Sequence, residues 1–158
     1  MYPLRPMRPE QLALAMLQAT GVTDAERAAL GAGATEQALY DKLSGNFKPF
    51  VELYGRPPGQ VENGYDASLF QALFLANGGS LNAWLAPRPG NVVDRCAKLA
   101  APAAIAEELY LSIYTRRPAA EEAAAVAEFF AGREQDLPVA IQELAWAMIA
   151  AVEFRFIH

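Results

Sequence analysis

The residue types that most often carry out chemistry are scarce in this sequence. It contains one histidine, His158, and one cysteine, Cys96. A hydrolytic triad needs a histidine beside its nucleophile, and a zinc site needs several clustered nitrogen or sulfur ligands. One residue of each type supplies neither arrangement, so the sequence predicts no metal site and no cofactor. Cys96 falls on a predicted helix face with Val92 and Val93, which indicates a small core residue.

Carboxylates are the remaining candidates for acid–base chemistry. Glu62, Asp66 and Glu153 are weak candidate acids for an enzyme that acts on polysaccharide. That reading requires two carboxylates facing one cleft, about 5–9.5 Å apart. Glu153 follows a long uncharged run, and a buried carboxylate usually has a partner. A structural salt bridge from Glu153 to Arg116 or Arg155 is therefore the favoured interpretation.

Aromatic side chains offer a second type of site. Most of them recur at helical spacing, which is typical of core positions. Tyr65 and Trp84 border loops instead, and with Arg56 they form the candidate binding residues of a carbohydrate-binding module. This interpretation requires both rings to be exposed, because a sugar stacks only on an accessible ring face.

Composition and charge exclude several classes of protein. The 158 residues carry 13 basic and 18 acidic side chains, for a net charge of −5. No basic stripe is present to replace the counterions of nucleic acid phosphates, so we expect no nucleic acid partner. The longest bulky apolar run, Leu144 to Val152, is about half of the ~20 residues that a membrane span requires. We therefore expect no membrane insertion.

Proline, glycine and capping residues divide the chain into short helices. Pro9 suits a first helical position and Gly21 a helix end, while Thr23 to Glu26 reads as a capping box. Asn91 is a helix-capping residue as well. The other predicted helices cover residues 36–44, 47–54, 67–77, 81–85, 92–99, 102–117, 119–131 and 138 onward. The clearest loop covers residues 55–66, which contain two prolines and three glycines.

These patterns predict an all-α fold: an orthogonal multi-helix domain of about eight to ten short helices, with no significant β-sheet. Residues 1–8 read as an extended lead-in, and residues 9–158 as one helical domain. Helical spacing predicts that Tyr40 and Val152 are buried. We also expect Ser80 to cap the helix that carries Trp84, and Arg116 to lie in the last turn of its helix.

Four stretches of the chain resemble the planctomycete-type domain-of-unknown-function family 1553. The ending, Glu143 to His158, is similar to that family's closing helix, which reads roughly "DLLWALLNSxEFLFNH". Residues 8–21, 68–78 and 107–121 match its "LxxEQLLDALxxxTG", "TLxQALxLLNG" and "ELYLxxLxRxPTxEE" segments in the same order. Residues 107–156 are also similar to the helical repeats of phycobilisome-linker-like and surface-layer-associated domains.

The resemblance implies the C-terminal module of a larger exported bacterial protein, at the cell surface or in the periplasm. It implies no catalytic residues. The chain departs from the family at Val61 to Asp66, where many members carry a cysteine-rich stretch and this sequence has none. A metal or redox role attached to those cysteines is therefore not expected here.

The interpretation that best fits these features is a non-catalytic interaction or scaffold domain. We expect it to dock against other domains of its parent chain or a neighbouring protein, through the loop at residues 55–66 and the segment around Trp84. The alternatives are an accessory part of a polysaccharide-acting enzyme and a carbohydrate-binding module.

Overall fold

Helices dominate the computed structural model, which describes residues 5–46, 48 and 79–157. Among those residues the α-helices are α1 Pro9–Thr20, α2 Val22–Leu30, α3 Glu36–Ser44, α4 Gly79–Leu85, α5 Val92–Ala97, α6 Pro102–Tyr114, α7 Ala120–Phe130 and α8 Leu137–Ala150. Short 3-10 turns occupy Gly31–Gly33, Glu134–Asp136 and Glu153–Arg155. The fold is all-α, as the sequence predicts. The helices predicted at residues 47–54, apart from residue 48, and at residues 67–77 lie outside the described residues. In the described part of the chain, no helix is long and apolar enough to cross a membrane.

The only extended pairing in the described ranges joins the two ends of the chain. Arg5–Pro6 (β1) lies antiparallel to Phe156–Ile157 (β2), with Arg5 opposite Ile157. The Met7 N–H continues the contact by donating to the Arg155 carbonyl at 2.9 Å. Two residues per strand are too few to stand alone, so this ladder depends on the helices around it.

The core lies where α1, α4, α5, α6 and α8 meet. α8 packs on α5, α4 and α6, while α1 packs on α6, α4 and α5. Each helix contributes an apolar stripe at helical spacing, for example Leu12, Met16 and Leu17 on α1. α2 and α3 lie to one side of this core, where α3 packs on α2 and α2 on α1. They bury few large side chains, which leaves part of α1 beside them exposed.

Helix boundaries follow the sequence signals at several points. Pro9 and Pro102 occupy the first position of α1 and α6. Asn91 caps α5, because its Oδ1 accepts a hydrogen bond from the Asp94 N–H at 2.9 Å. Gly21 ends α1 in the left-handed conformation, with φ +87°. The sequence predicts these helix boundaries because each one is set by the backbone or side chain of a residue at the boundary itself.

The predicted capping box at Thr23 is wrong. α2 begins at Val22, directly after Gly21, so Thr23 lies inside the helix rather than before it. Gly21 ends α1 and precedes α2 at once, which leaves no extended residue for Thr23 to occupy as a cap. In the part of the chain that the structure describes, the buried Thr23 hydroxyl has no hydrogen-bond partner.

Four other expectations at helix ends and faces are corrected. Ser80 lies within α4, which includes Gly79, so it does not precede that helix. Tyr40 is half exposed because α3 packs mainly on α2 and buries only Leu39 and Leu43. Val152 is exposed because α8 ends at Ala150 and Ala151 is extended. Finally, α6 ends at Tyr114, before Arg116.

A close backbone contact between Gly21 and Asn91 joins the α1–α2 junction to the segment between α4 and α5. A Cβ atom at Gly21 would lie only 3.1 Å from the Asn91 Cα. Asn91 is itself buried, and its Nδ2 donates to the carbonyls of Trp84 and Ala86 at 3.3 and 2.8 Å. The junction of α1 and α2 is therefore packed against the residue that links α4 to α5.

We expect Gly21→Ala to destabilise the fold more than Gly132→Ala. Both glycines have positive φ, a conformation that costs about 1–2 kcal/mol for a residue with a Cβ. Only Gly21 adds a tight contact, 3.1 Å to the Asn91 Cα, because a Cβ at Gly132 would meet nothing within 4 Å. Urea unfolding followed by circular dichroism measures the two losses. Equal losses would contradict the importance of the contact with Asn91.

Candidate functional site

Arg116 lies at the centre of a charged and aromatic cluster at one end of the core. Its guanidinium donates two hydrogen bonds to the Glu122 carboxylate, each 2.7 Å long, and its Nε donates to Glu153 at 2.8 Å. The Tyr110 and Tyr114 rings lie 5.1 and 5.6 Å from the guanidinium carbon. We call these five residues the Arg116 cluster. It links the end of α6, the start of α7 and the turn that follows α8.

The carboxylates of the Arg116 cluster are engaged in structure rather than poised for catalysis. Glu122 also accepts the Ala119 N–H at 2.7 Å, which satisfies a free donor at the start of α7. These hydrogen bonds, chiefly those from Arg116, lower the pKa of Glu122 to about 2. A carboxyl group with that pKa is ionised at neutral pH and cannot act as a general acid. Glu153 forms the salt bridge to Arg116 that the sequence favoured.

Tyr114, another member of the Arg116 cluster, adds a hydrogen bond from the end of α6 to α8. Its hydroxyl donates to the Met148 carbonyl on α8 at 3.0 Å. Burial raises the pKa of Tyr114 to about 12, so the hydroxyl keeps its proton at neutral pH and remains a donor. The ring also packs edge-to-face on Tyr110, with centroids 5.4 Å apart. The hydrogen bond to Met148 connects α6 to α8.

We expect the Arg116–Glu122 ion pair to make the stability of the fold depend on pH in the acidic range. A carboxyl group whose pKa is lower in the folded state than in the unfolded state stabilises the fold at pH values above its ordinary pKa of 4.5. This contribution is lost as the pH falls toward 2. We therefore expect wild type to melt above Glu122→Gln at pH 6, and the difference to shrink between pH 4.5 and 2. Melting curves followed by circular dichroism test this.

Glu121→Gln is the matched control for that experiment. Glu121 is the exposed neighbour on α7, outside the Arg116 cluster. Its effect on the melting temperature should be small and nearly constant with pH. A wild-type advantage over Glu122→Gln that stays the same at pH 2.5 and pH 6 would contradict the assigned role of the ionised carboxylate.

The structure describes few of the binding and catalytic residues that the sequence suggested. Glu62, Asp66, Arg56 and Tyr65 lie outside the described residues, as does the loop at residues 55–66. Trp84 lies inside them and is 9% exposed. A buried ring has no face for a sugar to stack on, so Trp84 does not serve as an exposed platform. Its place in the apolar stripe of α4, with Leu81 and Leu85, explains the burial.

Cys96 is a core residue, as the sequence predicts. It is fully buried on α5, and that burial, assisted by the negative charge of Glu108, raises the pKa of its thiol to about 12. A nucleophilic cysteine needs a lowered pKa and access to solvent. Groups of three or more potential metal ligands are also absent from the described ranges.

We expect Cys96 to be unreactive in the folded protein. A thiol reagent that releases a coloured product should react very slowly in native buffer and should titrate one thiol per chain in denaturant. Burial and the raised pKa both suppress the thiolate, which is the reacting form. Rapid stoichiometric reaction under native conditions would show that α5 opens readily.

A groove between α1, α2 and α3 is the candidate binding site. We call it the α1–α3 groove, and it has a volume of about 430 Å³. It is lined by Leu14, Gln18, Thr23, Arg27, Glu36, Gln37, Leu39, Tyr40 and Leu43. A volume of this size falls within the range of about 300–1,000 Å³ that is usual for ligand pockets.

The lining of the α1–α3 groove is mixed: four residues are apolar or aromatic, and the other five are polar or charged. Leu39 and Leu43 are buried, while Leu14 is 37% and Tyr40 50% exposed. Arg27 and Glu36 form an ion pair of 2.6 Å. The lining therefore combines accessible apolar surface with one internal ion pair and with the Thr23 hydroxyl, which has no hydrogen-bond partner among the described residues.

The lining of the α1–α3 groove supports binding rather than catalysis. Its lining residues include no cysteine or histidine, and Glu36 is held by Arg27, whose hydrogen bond lowers the pKa of that carboxyl. The sequence patterns do not predict this site. A signal was present in α1, where the apolar run from Leu12 to Leu17 is wider than one buried stripe and places Leu14 outside the core.

Comparison with other proteins finds no matching family model, no matching curated protein and no matching solved structure. The resemblance to the domain-of-unknown-function family 1553 therefore stays a prediction from four sequence stretches. Functional inference for this chain rests on its own geometry.

Proposed function

We propose that this chain is a non-catalytic helical interaction domain, in which the α1–α3 groove holds an apolar helical segment of another polypeptide. The observation that carries the proposal is the groove itself, where Leu14 and Tyr40 remain accessible beside buried Leu39 and Leu43. A helix laid in an apolar groove is one of the recurring ways in which proteins recognise peptides.

The size of the α1–α3 groove sets the expected affinity. About 430 Å³ accommodates only a few side chains of a partner. Each fully buried apolar side chain contributes about 1.5–3 kcal/mol, and association entropy offsets part of the total. We therefore expect weak binding, with a Kd in the micromolar range or above for a single peptide.

The wider setting of the domain follows from the sequence resemblance alone. Four stretches in matching order support a module of a larger exported bacterial protein. In that setting the partner segment belongs to another domain of the parent chain or to a neighbouring protein. The accessory-enzyme and carbohydrate-binding alternatives have no supporting observation among the described residues, since Trp84 is buried and Glu153 is paired with Arg116.

The test uses an uncharged amphipathic helical peptide with leucine anchors one turn apart, and a scrambled peptide of the same composition. We expect the amphipathic peptide to shift backbone amide signals of α1–α3 in a nuclear magnetic resonance titration of the full chain. The scrambled peptide should bind at least about tenfold more weakly, because it cannot place its anchors on one face.

Leu14→Glu and Leu111→Glu form a matched pair for this test. Both leucines are surface positions on helices, with exposures of 37% and 43%, but only Leu14 lines the groove. We expect Leu14→Glu to weaken peptide binding at least about tenfold and Leu111→Glu to leave it unchanged. Shifts that map away from α1–α3, or equal losses in the two variants, would contradict the proposal.

A further inference from the structure

We infer that the partner helix of the α1–α3 groove is basic, with Lys or Arg flanking its apolar anchors. This inference rests on the proposed function and adds the charge of the partner. The charge of the partner is inferred from the charged side chains of α2 and α3, because the apolar lining residues alone do not determine it.

Acidic side chains outnumber basic ones beside the groove. Residues 21–46 carry Asp24, Glu26, Glu36 and Asp41 against Arg27 and Lys42. Both basic groups are already paired, Arg27 with Glu36 at 2.6 Å and Lys42 with Glu26 at 3.4 Å. Within residues 21–46 these two ion pairs use both basic groups, and four acidic against two basic side chains leave a net charge of −2.

Asp24 and Asp41 carry that surplus. Both are exposed, and neither forms an ion pair with any residue in the described ranges. Asp41 accepts a hydrogen bond from the Gln37 amide at 2.8 Å, and Gln37 lines the groove. A partner that brings positive charge to this region gains attraction, whereas a negatively charged partner is repelled.

The spacing of the lining residues fits a helix of about two turns. Leu14 and Gln18 lie one turn apart on α1, and the lining residues of α3 extend from Glu36 to Leu43. At 1.5 Å per residue, seven residues of helix cover about 10 Å. Anchors at positions i, i+4 and i+7 of a partner helix cover the same length.

The experiment compares three helical peptides with identical leucine anchors and with Lys, Gln or Glu at the flanking positions. We expect the full chain to bind the Lys peptide at least about tenfold more tightly than the Glu peptide at low salt, with the Gln peptide between them. The ratio should fall toward one in 0.5 M salt, because salt screens exposed charges. Fluorescence anisotropy of labelled peptides measures the three affinities.

Two double variants with equal net charge separate the local effect from the overall charge of −5. Asp24→Asn with Asp41→Asn removes the surplus charge beside the groove. Glu121→Gln with Glu128→Gln removes the same charge from exposed positions on α7, which contributes no lining residue. We expect the first pair to weaken binding of the Lys peptide several-fold and the second to change it little.

The possible outcomes separate the two proposals. If the Glu peptide binds as tightly as the Lys peptide, the charge inference is wrong and the interaction role of the groove stands. If none of the three peptides binds, both are wrong. If the two double variants weaken the Lys peptide equally, binding follows net charge, and the assignment to Asp24 and Asp41 is wrong.

Discussion

The backbone contact between Gly21 and Asn91 is the constraint on which the rest of the structure depends. Gly21 ends α1 in a left-handed conformation and leads directly into α2. Its missing side chain lets the chain at Asn91 approach to a distance that a Cβ would obstruct. Asn91 in turn caps α5 and hydrogen-bonds to the carbonyls at the end of α4. The close approach at Gly21 thus connects the α1–α2 junction to the residue that caps α5 and bonds to the end of α4.

Arg95 extends this connection from α5 to α6. Its guanidinium donates to the Gly90 carbonyl at 3.0 Å, to Glu108 at 2.8 Å and to the Ser112 hydroxyl at 3.1 Å. The Arg116 cluster then joins α6 to α7 and to the turn after α8. Both arginines use several donors on groups that are partly buried, a geometry that a single ammonium group cannot reproduce. The hydrogen bonds of Arg95 and Arg116 therefore connect helices that each have only a short apolar stripe.

The α1–α3 groove is a consequence of the same junction. Because no linker separates α1 from α2, the chain turns at Gly21, and α3 then packs on α2 at the side of the core. α1 therefore keeps an outward face, on which Leu14 remains accessible. The ion pairs of α2 and α3 use their basic groups, so the region beside the groove is apolar and negatively charged. Shape and charge at this site thus follow from how three short helices meet.

The sequence by itself determined the helical class, most helix ends and the nature of the core. Pro9, Gly21, Asn91 and Pro102 act through their own backbone chemistry, which does not depend on distant residues. Apolar periodicity likewise predicted the burial of Leu12, Cys96 and Ile141. The same local reasoning failed at Thr23, where two helices share one boundary residue.

Only the tertiary structure decided which side chains form a site. Tyr40 sits beside Leu39 on a helix whose sequence favours burying both, yet α3 packs mainly on α2 and leaves Tyr40 half exposed. Trp84 borders a loop in the sequence, but its helix turns the ring inward. Periodicity identifies an apolar face, but it does not state whether another helix covers that face. Exposure depends on contacts between residues far apart in the chain, and for that physical reason the groove was not foreseen.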